Sequence, residues 1–109
     1  MDGLRKVPFG EIEWADDAPD IRARETDVGG IRWAIVEYGQ GALREEWCEE
    51  GHRGYVISGT IEYEFDDGHE PLRASEGEAF RLPPARLGSG AHRGRNVAGG
   101  PTRLFLIDE

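Results

Sequence analysis

The residues of this chain whose types could do chemistry begin with Glu46, Cys48 and His52, joined from far along the sequence by a second imidazole, His92. A carboxylate, a thiol and two imidazoles make a donor set able to take Zn, Fe, Ni, Cu or Mn if folding brings them together, and a thiolate favours softer ions such as Zn. The same Cys48 could serve as a nucleophile, because an adjacent imidazole from His52 or His92 would hold the thiolate. Against both stands a plainer reading. A buried cysteine usually packs as a small hydrophobe, and the Glu45-Glu46 run can be a solvated face. His69 follows Asp67-Gly68 in an expected turn, where solvation is its expected state, and it is left out of the candidate set. There is no G-x-S-x-G elbow and no P-loop, and Gly94-Arg95 and Gly99-Gly100-Pro101 lack the strand-to-helix context of a phosphate cradle.

These groups have to be positioned by short strands. The 16 glycines and 6 prolines punctuate runs rich in Val, Ile, Tyr, Phe and Trp, the pattern of a small antiparallel all-β domain. Strands are expected near 31–38, 43–48, 53–58, 60–65, 70–74, 79–82, 92–97 and 102–107, with little room for helix. Residues 11–27 sustain no period and could hold one helical turn or an extra edge strand. The clearest alternation sets Ile61, Tyr63 and Phe65 against Thr60, Glu62 and Glu64, so one face is core and the other wet. Asp66-Asp67-Gly68 then reverses the chain. On the expected strand 43–48, Glu46 and Cys48 are two apart and should point the same way.

Around EWCEEGHRGYVISGTIEYEF the sequence resembles the first signature of the cupin superfamily, H-x-H-x3-E-x6-G, with the Gly at Gly59. Its two histidine positions fall on Glu46 and Cys48, and its glutamate position on His52. The second signature, G-x5-P-x-G-x2-H-x3-N, is matched by Gly77, Pro83, His92 and Asn96, with extra residues Ala85–Ala91 where the superfamily has a short glycine turn. The string Trp47-Cys48-x3-His52-x-Gly54-Tyr55-Val56 is similar to small one-domain bacterial cupins. The resemblance implies a cupin-type double-stranded β-helix, or jelly-roll, barrel, with residues 1–28 as an N-terminal arm or edge strand and 29–109 as the barrel. It also implies that His52, His92, Cys48 and Glu46 converge inside that barrel on a divalent metal ion. Trp33, Trp47, Tyr63 and Phe80 are then candidates for the wall of a pocket, although core packing is the alternative role for each. Asn96 is expected to satisfy backbone groups at a strand end, and Arg81 to point outward to a carboxylate.

Composition limits the function classes. A formal charge of −9, from 22 acidic and 13 basic side chains, sets the averaged field against nucleic acid and anionic lipid. No run is long and apolar enough to span a bilayer, and a lone cysteine fits a reducing compartment, so a soluble cytoplasmic protein is expected. A metal-dependent cupin enzyme acting on a small organic molecule and a metal-free binding, sensor or accessory module both fit. Edge strands and a small core favour a homodimer.

Overall fold

The computed structural model describes residues 4–88 and 90–109, so the first three residues of the expected arm, and Ser89 in the inserted stretch, lie outside the described residues. Nine strands follow in order: β1 (Ala15–Ala18), β2 (Ile21–Val28), β3 (Ile31–Tyr38), β4 (His52–Ser58), β5 (Thr60–Phe65), β6 (Leu72–Ser75), β7 (Ala79–Leu82), β8 (His92–Asn96) and β9 (Thr102–Asp108). The described helical structure is two short 3-10 turns, Phe9–Glu11 and Ala85–Leu87. The strands form a six-stranded sheet, β1-β2-β3-β9-β4-β7, and a three-stranded sheet, β6-β5-β8, antiparallel throughout.

Alternation decides which side chains meet between the sheets. Ala34, Val36 and Tyr38 on β3 point inward with Val56 of β4, Leu104 of β9 and Leu82 of β7, and Ile61 and Tyr63 of β5 face them from the smaller sheet. Val56, Ile61 and Leu104 are wholly removed from solvent, so truncating Leu104 to Ala should cost about 2–5 kcal/mol. The segment with no clear period, 11–27, contributes β1 and most of β2, and β2 pairs with β3 along its whole length.

The wet faces are finished with cross-strand ion pairs. Glu62 on β5 lies between its register partners Arg73 of β6 and Arg95 of β8, and hydrogen bonds from Arg73 and then Arg95 hold its carboxyl below the usual range. Arg81 points outward to Glu109, as its place between Phe80 and Leu82 requires. Buried Asn96 donates from Nδ2 to the carbonyls of Gly39 and Gly100, both at 2.8 Å, and Oδ1 accepts from Ala98 N at 2.9 Å and from Thr102 Oγ1 at 2.7 Å. This ties the end of β8 to the start of β9.

One expected strand is corrected. Residues 43–48 make no regular strand; they touch the sheet through two single-residue bridges, Leu43 to Arg95 and Cys48 to His92. Glu45, Glu46 and Trp47 between them are exposed. A run with no buried alternating set has nothing to anchor it as a strand, so Glu46 does not share the half-buried environment of Cys48.

Gly59, between β4 and β5, has φ +87°, and a Cβ there would lie 2.2 Å from Thr102 Oγ1, the atom that accepts the Thr60 N–H. Gly68, in the Asp-Asp-Gly turn, has φ +88° with open space around it. Gly59→Ala should therefore lose at least about 2 kcal/mol of unfolding free energy, against about 1 for Gly68→Ala, which meets only the backbone penalty. Equal losses in urea titrations would contradict this packing.

Candidate metal centre

Three donors converge where the two sheets open. His52 begins β4 and, with Gly54 and Val56, belongs to its inward set, while Arg53, Tyr55 and Ile57 face out. His92 begins β8, and its backbone is clamped to Cys48 by two hydrogen bonds, Cys48 N to His92 O at 2.7 Å and His92 N to Cys48 O at 2.9 Å. That bridge carries the thiol in from the loop to the two imidazoles. Cys48 Sγ lies 3.7 Å from His52 Nε2, the His52 and His92 rings are 5.2 Å apart edge to face, and one donor atom from each of Cys48, His52 and His92 lies within 4.8 Å of the others.

The other nitrogen of His52 is fixed from behind. Asp108 is its register partner on β9, and the two meet at 2.9 Å between Nδ1 and Oδ1; Arg32 Nη1 reaches the same oxygen at 3.4 Å. A carboxylate can only accept, so Nδ1 donates to Asp108 and Nε2 is turned toward the cluster. This is the arrangement that orients histidine ligands in metal sites. Burial, then the proximity of His52 and Arg44, pulls His92 down to about 4, so it is neutral at pH 7; burial pushes the Cys48 thiol up.

Of the other expected site residues, Glu46 is exposed at the rim of the cavity, outside the donor cluster. Tyr63 and Trp47 line the cavity, the exposed Trp47 ring lying 4.1 Å from the Arg93 guanidinium carbon. Phe80 stands behind Tyr63, rings 5.3 Å apart, and lines no part of the cavity. Trp33 is on the opposite face: the alternation that turns Ala34, Val36 and Tyr38 inward turns it outward, edge-on to Phe105 at 6.0 Å. His69 is bonded to Asp67 in an exposed turn.

Asp108, Tyr38 and Arg44 were not singled out in the sequence. Alternation through Leu104, Leu106 and Asp108, and through Ala34, Val36 and Tyr38, places the first two on the inner face; the cross-strand register that sets Asp108 beside His52 has no local signal. Tyr38 and Arg44 share with the cluster a cavity of about 740 Å³, and Asp108 stands behind His52.

No protein-family model and no curated protein matches the chain by sequence. Solved structures match it in shape. KdgF from Halomonas sp. is 23% identical over 91% of this chain and 87% of its own, with a TM-score of 0.67. The polyketide cyclase RemF from Streptomyces resistomycificus is 16% identical over 96% and 78%, with a TM-score of 0.72. An RmlC-like cupin from Shewanella frigidimarina is 15% identical over 99% and 93%, with a TM-score of 0.71.

The depressed pKa of His92 gives a pH signature. Above about 6.5 the ring is neutral folded or unfolded; between about 6.5 and 4 the unfolded chain takes up a proton that the folded site refuses. Stability of metal-free protein should thus fall as pH is lowered through that window, by at most about 3 kcal/mol, and this component should be missing in His92→Gln. Urea midpoints with the same slope in both proteins between about pH 6.5 and 4.5, where the carboxylates common to both cancel in the comparison, would contradict the assignment.

Proposed function

From the cupin-type jelly-roll fold of this chain, we propose that it binds a divalent metal ion through Cys48, His52 and His92 and acts on a small organic molecule held in the adjoining cavity. The observation that carries this reading is the orientation of His52, with Nδ1 on Asp108 and Nε2 facing the thiol at 3.7 Å. A tetrahedral ion with bonds of about 2.3 Å to sulfur and 2.0–2.1 Å to nitrogen keeps its donors roughly 3.3–3.7 Å apart, so the group needs only small inward shifts. One thiolate and two imidazoles suit Zn best, with Fe and Ni next, and Mn least for want of a carboxylate among the donors. Three protein ligands leave a coordination position open, and a bound ion would supply Lewis acidity there, polarising a carbonyl or activating water. The chain's own residues do the rest: Asp108 orients His52, the Cys48–His92 backbone bridge sets the thiol, and Tyr63 and Leu106 wall the cavity. That RemF is a polyketide cyclase fits small-molecule chemistry in such a barrel.

Wild type should bind Zn near one per chain and release a proton from the elevated Cys48 thiol as it does so, making affinity rise with pH. His52→Ala with His92→Ala should abolish binding, Asp108→Asn should weaken it roughly 10–100-fold, and Glu46→Gln should leave it unchanged. Substoichiometric metal that is the same in wild type and the double variant, with a melting midpoint indifferent to EDTA, would favour the metal-free binding module instead.

We also propose a cytoplasmic homodimer with no nucleic-acid or membrane partner. Among the described residues no helix is long and apolar enough to cross a membrane. The outer face of the six-stranded sheet carries exposed Tyr55 and Ile57 beside Phe105, a surface that pairing would bury. Light scattering should give twice the chain mass at micromolar concentration for wild type and the chain mass for Tyr55→Glu; a monomeric wild type would remove the dimer.

A further inference from the structure

Three hydrogen-bond donors stand side by side in the cavity with protons left over. Arg44 gives Nε–H to Tyr38 Oη at 2.9 Å and an Nη2 proton to Asp17 at 2.5 Å, and its Nη1 donors bond to no described residue. Tyr38 Oη accepts from Arg44, and its own proton has no acceptor among the described residues. Tyr63 Oη makes no hydrogen bond with any described residue. Both phenols belong to side chains only 2% and 3% exposed, and all three residues line the cavity that holds Cys48, His52 and His92. The space between the phenols is kept by Gly94: a Cβ there would lie 2.9 Å from the Tyr63 ring and 3.0 Å from Tyr38 Oη.

We propose that this cavity receives the carboxylate of a small organic acid, held by Arg44, Tyr38 and Tyr63. Tyr38 Oη is already used as an acceptor by Arg44, so the protons left on Arg44, Tyr38 and Tyr63 can all be taken by an anionic oxygen pair entering the cavity. Burial pushes both phenols up in pKa, so they stay donors; burial opposes the charge on Arg44, but Tyr38 and Asp17 more than offset it and the guanidinium stays charged. A single negative charge fits better than a phosphate dianion, because Asp17 already takes part of the Arg44 charge and Glu45, Glu46 and Glu50 rim the opening. Val36, Ala42 and Leu106 supply an apolar wall for the carbon skeleton. The inference deepens the reading of this cavity as a small-molecule site, but it does not depend on the metal.

The test is calorimetric titration of acetate, lactate and benzoate, each against its amide and against inorganic phosphate, on Zn-loaded and on chelator-treated protein. At least one carboxylate should bind at least tenfold more tightly than its amide. Arg44→Gln should cut that affinity roughly ten- to hundredfold while Zn stoichiometry is kept. Tyr63→Phe, which deletes one hydroxyl and carries the test should Arg44→Gln fail to fold, should cut it several-fold. Carboxylate binding with this dependence in chelator-treated protein supports the site even if Zn fails to bind. Parity with the amides, tighter binding of phosphate than of every carboxylate, or affinities unchanged in both variants overturns it, and Zn uptake alongside any of those results leaves the metal reading standing.

Discussion

The hydrogen bond between His52 Nδ1 and Asp108 is the constraint on which the site depends. It joins the first residue of β4 to the last of β9, so it exists only when those strands pair in register from Gly54–Leu106 outward. Register is set in turn by the inward apolar set, since a slip of β4 by one residue would turn His52, Gly54 and Val56 to solvent together. The orientation of one imidazole is thus underwritten by the whole core.

A second tie completes the geometry from the other sheet. Cys48 sits on a loop with exposed neighbours, and a loop would ordinarily leave a thiol poorly placed. Two short backbone hydrogen bonds to His92 remove that freedom, and His92 is itself fixed as the register partner of Phe65. The donors therefore arrive from three places: β4, β8 and the loop bridged to β8. Backbone pairing holds each of them, so the site can be preorganised without relying on long flexible side chains.

Much of the fold was legible because alternation and turn chemistry are local. Ile61, Tyr63 and Phe65 against Glu62 and Glu64, the Asp66-Asp67-Gly68 reversal, and the prolines after Leu82 each carry their own signal, and the strands lie there. Asn96 and Arg81 were also readable, one as a partner for backbone groups and one by its outward parity. Local reading went astray where spacing was mistaken for strand geometry. Glu46 and Cys48 are two apart, yet the segment is a loop, so the parity argument did not apply. Residue type alone makes Trp33 a candidate for the pocket wall, although its parity relative to Ala34 and Val36 sends it outward. Asp108 and Tyr38 could not be read as site residues from composition, because only pairing between distant strands brings them to the histidines, and Arg44 arrives on the loop that Leu43 and Cys48 bridge to β8.

X-ray absorption at the metal edge of Zn-loaded protein tests the central claim most directly. One sulfur near 2.3 Å with two imidazole nitrogens near 2.0–2.1 Å and one further light atom is the predicted coordination shell. A shell of oxygen atoms alone, with no sulfur and no imidazole scattering, would contradict it.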